Sequence, residues 1–180
     1  MVLGDSISAA YGMSLSQGWV ALMEEELASS GEAEAVINAS ISGETTGGAL
    51  RRLPALLEEH QPALVVVELG GNDGLRGHPI ISLRENLTGI VTASQAAGAR
   101  VLLLPMEIPP NYGSRYTEAF RESFIVVAQS TGATLGSFPL QDVATAPRLM
   151  QADGIHPTVE AQAIIAARVL PEVREALATP

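Results

Sequence analysis

The sequence predicts an α/β fold in which a parallel sheet carries helices on both faces. Three observations lead there. Short β-branched runs alternate with longer segments of helical periodicity, the pattern of βαβ units. The run Leu64-Val65-Val66-Val67-Glu68-Leu69 is apolar almost throughout, as a central parallel strand buried on both sides must be. Polar, glycine-containing stretches follow the strands, and in such sheets ligands bind beyond the carboxyl ends of the strands.

Taken in order, Val2-Leu3 is the stub of a first strand. Gln17 to Ser29 reads as a helix with Trp19, Val20, Leu22, Met23 and Leu27 as its apolar residues. Ala35-Val36-Ile37-Asn38 reads as a second strand. Gly47 to Glu59 reads as a helix with a stripe of Leu50, Leu53, Leu56 and Leu57, and Pro54 in its middle predicts a kink. After the Leu64–Leu69 strand, Ile80 to Ala97 is a helix ended by Gly98. Val101 to Leu104 is a fourth strand, stopped by Pro105. Arg115 to Gln129 is a helix, and Ala133-Thr134-Leu135 is a weak fifth strand. The last helix is expected to start at Pro157 and to be interrupted or restarted at Pro171.

Composition narrows the function. A chain of 180 residues, 47% hydrophobic and 17% charged, suits one globular domain spanning 1–180. No apolar run approaches the ~20 residues that span a bilayer, so no stable membrane insertion is expected. The net charge of −10 argues against a nucleic-acid partner. All ten basic residues are Arg, which excludes lysine Schiff bases and phosphate-loop lysines. The absence of Cys excludes disulfides, thiolate nucleophiles and Cys-based zinc sites. A histidine-dependent mechanism must use His60, His78 or His156.

The residues after the strands are Gly4-Asp5-Ser6, then Asn38 to Thr45 with Gly43, then Gly70-Gly71-Asn72-Asp73-Gly74, then Pro105 to Tyr112. Asp153-Gly154-Ile155-His156-Pro157 precedes the last helix. Asp153 stands three positions before His156, close enough to take the imidazole Nδ1–H and leave Nε2 free as a base. The same spacing also suits a capping Asp beside a surface His. Ser6 reads as a helix N-cap or as a nucleophile whose backbone N–H faces an anion, with Asp5 capping or orienting the turn. Gly43 reads as a turn glycine or as a backbone donor open to a ligand. Asn72 reads as part of an Asn-Asp-Gly turn or as an amide donor to a developing oxyanion. Singly, each is weak. Together they supply a nucleophile, a base with its orienter and three donors, the parts of an acyl-transfer site.

These blocks resemble the four signature blocks of the SGNH (GDSL) hydrolases. NASISGETT, RLPALLEEHQP, VVVELGGNDGLRG, PPNYGSRYTEAF and MQADGIHP are similar to the bacterial thioesterase, lysophospholipase and arylesterase group of that family. The likeness runs from Val2 to about the last helix. It implies a three-layer α/β/α sandwich, flavodoxin-like, with a five-stranded parallel sheet in the order 2-1-3-4-5. It implies Ser6 as nucleophile, His156 as base, Asp153 as orienter, and an oxyanion hole from the Ser6 and Gly43 N–H groups and the Asn72 side chain. Asp5, Leu75, Ile108 and Pro109 are the expected substrate-binding residues, with Ile108 and Pro109 facing an acyl chain. No metal or other cofactor is implied. The partner is a small-molecule ester or thioester; the oligomeric state is left open, with a monomer favoured. Members of the group usually carry a cleaved export signal, so a periplasmic or secreted location is expected, the cytoplasm not being excluded.

Gly74 to Pro79 and Met106 to Tyr112 flank the expected site. For Arg76 and His78 a solvated loop is weighed against contact with an anionic head group. His60 reads as structural, and Arg51-Arg52 and Glu24-Glu25-Glu26 as solvated helix faces. Two rivals are a flavodoxin-like binding module, which would need an acidic metal cluster or phosphate loop after the first strand, and a carbohydrate O-acetyl esterase. The apolar Ile108-Pro109-Pro110 stretch favours acyl chains over sugars.

Overall fold

The computed structural model describes residues 1–32 and 35–178. Four strands, β1 (Val2–Gly4), β2 (Leu64–Glu68), β3 (Arg100–Leu103) and β4 (Thr134–Leu135), pair in parallel in the order β1-β2-β3-β4. The helices are α1 (Trp19–Ser29), α2 (Thr46–His60), α3 (Gly71–Leu75), α4 (Ile80–Ala96), α5 (Ser114–Thr131) and α6 (Val159–Ala178). α1 packs on α6, while α2 packs on α4 and α4 on α5. β3 touches α4 and α6, one from each group, and every residue of β2 is buried. A parallel strand buried on both faces needs helices on both. Among the described residues no helix is long and apolar enough to cross a membrane.

The core follows from the apolar periodicity. Val65, Val67, Leu102 and Leu103 of the central strands are fully buried. Leu53 of α2, Leu87 and Ile90 of α4, Phe120 and Phe124 of α5, and Ile165 and Val169 of α6 join them. Phe120 and Phe124 meet edge to face, centroids 5.5 Å apart at 72°, a geometry the ring quadrupoles favour.

Several elements depart from the sequence expectation, each for a local reason. The second expected strand is reduced to a single bridge between Val2 and Asn38. β1 is only three residues long, and it offers that neighbour two hydrogen bonds: Val2 N to Ile37 O at 2.8 Å and Ala39 N to Val2 O at 2.9 Å. Among the described residues the sheet therefore has four strands, not five. Pro171 does not interrupt α6, and α2 also runs through Pro54. Both prolines face solvent, where water can satisfy the carbonyl each leaves free. The last helix begins at Val159 because Pro157 instead bridges Met150, and Thr158 N donates to Leu149 O at 2.8 Å. Gly70 to Gly74 is not an open loop: Gly70 turns the chain at φ 113° and α3 begins at once. Gln17 belongs to a short 3-10 turn, Leu15–Gln17, which Gly18 separates from α1. Arg52 is not solvated but pairs with Glu44 at 2.7 Å.

The sheet's dependence on close packing is testable at Leu102, which is fully buried in the middle of β3 and in register with Val66 and Thr134. Leu102→Ala should cost about 2–5 kcal/mol in urea unfolding; a loss well below 1 kcal/mol would contradict this packing.

Candidate active site

The parallel register sets Gly4 beside Glu68, so β1 and β2 release their chains at the same edge of the sheet. From β1 the chain enters a helix-like turn in which Ala9 N donates to Asp5 O at 2.9 Å and Tyr11 N to Ser6 O at 3.1 Å. From β2 it passes Gly70 into α3, which carries Asn72. The loop before α6 is closed by the Met150–Pro157 bridge and by Gln151, whose amide donates to Tyr11 O at 2.8 Å and Pro157 O at 3.0 Å. That loop brings His156 over the Ser6 turn.

His156 Nε2 lies 2.8 Å from Ser6 Oγ, and His156 Nδ1 lies 2.6 Å from Asp153 Oδ2. The second Asp153 oxygen accepts from the backbone N–H of Ile155 at 2.9 Å and of His156 at 3.0 Å. Partial burial opposes ionisation of Asp153, but the imidazole and the two backbone donors outweigh it and hold its pKa at about 2. A carboxylate so fixed keeps the proton on Nδ1 and leaves Nε2 to accept. Ser6, Asp153 and His156 are thus in line, and such a relay can carry a proton off a serine hydroxyl. The ring of Tyr11 lies over His156, centroids 4.2 Å apart and tilted by 32°. Nothing in the sequence marks Tyr11, since an exposed Tyr in a turn carries no pattern.

Asp5 is buried, with its carboxylate accepting from Ile7 N at 3.0 Å and from Asn72 Nδ2 at 3.1 Å. It braces the turn by accepting from Ile7 N, and it also holds the Asn72 amide. Burial pushes its pKa up to about 6 against those hydrogen bonds. Beneath it lies Glu68, fully buried, whose Oε2 accepts from Ser8 Oγ at 2.6 Å and from Asp5 N at 3.4 Å. Burial, and then the nearby Asp5 charge, push Glu68 well above the usual carboxylate range. The approach requires glycine at position 4: a Cβ there would lie 2.6 Å from Ser8 Oγ and 2.9 Å from Glu68 Oε2.

Ser6, Asn72 and His156 line one cavity of about 530 Å³ with Asp5, Leu75, Ile108 and Pro109. Most of its lining surface is apolar. Gly43 is placed differently. It sits in an exposed turn at φ 79°, off the cavity lining, and its carbonyl accepts from Arg76 Nη2 at 2.9 Å. Arg76 and His78 both have protein partners: His78 Nδ1 stands 3.5 Å from Asp73 Oδ1. Asp73 also receives Thr46 N and Thr46 Oγ1, each at 2.8 Å, tying α3 to the start of α2. Phe138, Leu140, Ala144, Thr145 and Met150 also line the cavity and lie outside the site residues the sequence predicts. They come from an irregular stretch in which apolar residues follow no helical or strand period.

The GDSL-like lipase/acylhydrolase family profile matches residues 2–164. The chain belongs to that family. This GDSL hydrolase is 51% identical to the esterase TesA of Pseudomonas aeruginosa, over 98% of this chain and 88% of that one. It is 46% identical to the thioesterase 1/protease 1/lysophospholipase L1 of Escherichia coli K12, over 92% of this chain and 78% of that one. An arylesterase of Vibrio mimicus is 43% identical, over 96% and 86% of the two chains. Among solved structures it superposes on the psychrotrophic esterase EstA of a Pseudoalteromonas species, inhibited by monoethylphosphonate, with a TM-score of 0.95 at 46% identity and coverage of 99% and 97%. This GDSL hydrolase is a carboxylic ester hydrolase.

The buried acids make stability pH-dependent. The folded state holds the Asp5 proton more tightly than the unfolded chain, whose value is near 3.8, so this contribution is complete below that pH and is lost as pH rises through about 6. In urea melts between pH 4 and 7, Asp5→Asn should flatten the loss of stability with rising pH; an undiminished slope would contradict the assignment.

Proposed function

We propose that this hydrolase cleaves acyl esters and thioesters through an acyl-enzyme on Ser6. His156 Nε2 takes the proton from Ser6 Oγ as the oxygen attacks the carbonyl carbon. Asp153 holds the imidazole in the tautomer that accepts, and stabilises the imidazolium that forms. The tetrahedral oxyanion is received by the Ser6 backbone N–H, the Asn72 amide and the Gly43 N–H, and collapses as His156 protonates the leaving group. Water, activated by the same base, then releases the acid. The observation that carries this reading is the unbroken line Asp153–His156–Ser6, with contacts of 2.6 and 2.8 Å. For Gly43 the support is narrower: Arg76 fixes its peptide by the carbonyl, and a turn of the chain must still bring its N–H toward the carbonyl of a bound ester.

The acyl chain lies along the cavity lined by Leu75, Ile108, Pro109, Phe138, Leu140 and Met150. An apolar lining suits a hydrocarbon tail better than a sugar, which would leave its hydroxyls without partners. The names of the relatives, esterase, arylesterase and thioesterase/lysophospholipase, cover the same range of acyl substrates. The segment ending at Asn38 is a reduced fifth strand on the outer edge of β1, giving the order 2-1-3-4-5; the two hydrogen bonds to Val2 support that reading.

Turnover of a p-nitrophenyl ester series from acetate upward tests both parts. Ser6→Ala should lower kcat by about 10⁴-fold or more, and the wild type should prefer chains longer than acetate. A Ser6→Ala protein at the wild-type rate would end the mechanism, and strict preference for acetate would return the O-acetyl esterase.

A further inference from the structure

Among the described residues Glu68 is the one fully buried acid, and the mechanism does not use it. It breaks an otherwise apolar central strand, at the last residue of β2, where a Leu or Val would pack without desolvating a carboxyl. Its contacts run toward the site. Oε2 accepts from Ser8 Oγ, two residues after Ser6, and from the N–H of Asp5, one residue before it. Asp5 then passes the connection on, through Oδ1 to Ile7 N and through Oδ2 to Asn72 Nδ2. Asn38 closes the far side by donating to Ser8 O at 2.8 Å. The turn that holds Ser6 is therefore gripped on both sides of the serine.

We propose, on the basis of the Ser6 mechanism above, that Glu68 is a positioning residue: it holds the Ser6 turn through Ser8 and the Asp5 N–H, and through Asp5 it aims the Asn72 amide at the oxyanion. The chemistry explains the choice of residue. Two donors converge on one oxygen, from Ser8 and from Asp5 N, and only an acceptor at this strand end reaches both. A neutral acid meets that need without placing a second full charge beside Asp5. Direct burial of Glu68 is consistent with this, since desolvation favours its protonated form. Among the described residues the other Glu68 oxygen, Oε1, is buried with no hydrogen-bond partner, and the hydrogen bonds to Glu68 all fall on Oε2. The small-residue requirement at Gly4 belongs to the same arrangement, because it lets Ser8 and Glu68 meet across β1.

Misplacing a catalytic group by a fraction of an ångström weakens the transition state without changing how the acyl tail is bound. Glu68→Leu removes both acceptor contacts and should lower kcat on a p-nitrophenyl ester about tenfold or more, short of the ~10²–10³-fold that losing an oxyanion donor outright costs, with KM within about twofold of wild type. Glu68→Gln keeps one acceptor oxygen and should recover most of that loss. A folded Glu68→Leu protein with wild-type kcat, or a Glu68→Gln as slow as Glu68→Leu, would overturn the proposal. Ser8→Ala provides the second route where Glu68→Leu does not fold. It removes the shortest link and leaves Glu68 in place, so kcat should fall severalfold with KM unchanged, and an unchanged kcat would overturn the proposal equally. Ser6→Ala, measured alongside, separates the two levels. If it retains activity, the Ser6 mechanism fails; if it is inactive while Glu68→Leu and Ser8→Ala are fully active, only the role of Glu68 fails.

Discussion

The 2.8 Å contact between Ser6 and His156 joins residues 150 positions apart, and the fold is arranged around making it. One partner leaves the first strand; the other hangs from the loop before the last helix. Neither could find the other through local structure. The sheet register fixes where β1 ends, the Met150–Pro157 bridge fixes where the last helix starts, the packing of α1 on α6 holds that helix in place, and Gln151 ties the two loops directly by donating to Tyr11 O. Trp19 N adds a second tie, donating at 3.0 Å to the buried Gln162 of α6. A contact of this kind is an output of tertiary structure, held by core packing that lies well away from it.

Four acids around the site occupy four environments and do different work. Asp153 is partly exposed and accepts three hydrogen bonds, so it stays ionised and can face an imidazole that gains charge. Asp73 is buried but receives a backbone N–H and a hydroxyl from Thr46, and so acts as a strut between α3 and α2. Asp5 and Glu68 are buried next to each other, and desolvation pushes both toward neutrality. Charge is kept on Asp153, beside the imidazole that takes up the proton, and desolvation opposes it at Asp5 and Glu68, which hold the Ser6 turn. The net charge of the chain predicts none of this, because local desolvation and hydrogen bonding decide it.

Much of the molecule was legible in the sequence. The long strands and helices followed from apolar periodicity, and their ends fell within one or two residues where a cap marked them, as Gly98 marks the end of α4. The blocks holding Ser6, Asn72, Asp153 and His156 were found because each follows a strand or precedes a helix in a βαβ chain. The misses have physical causes. Pattern cannot say that a proline will face solvent, so an interruption is expected at Pro171 in a helix that in fact continues. A strand needs a partner of matching length, which Ala35–Asn38 lacks beside the three residues of β1. Glu68 was absorbed into an apolar run, since only the fold brings Ser8 to it. Tyr11 and the Phe138–Met150 wall are irregular in sequence and become a site only through tertiary contact.

The central claim is that Ser6 is the residue that becomes acylated. Its most direct test is to treat the protein with a fluorophosphonate and map the adduct by peptide mass spectrometry. The account predicts a single stoichiometric adduct localised by fragmentation to Ser6 itself, with complete loss of esterase activity. Full inactivation with the label on another serine, such as Ser8 or Ser40, would contradict it.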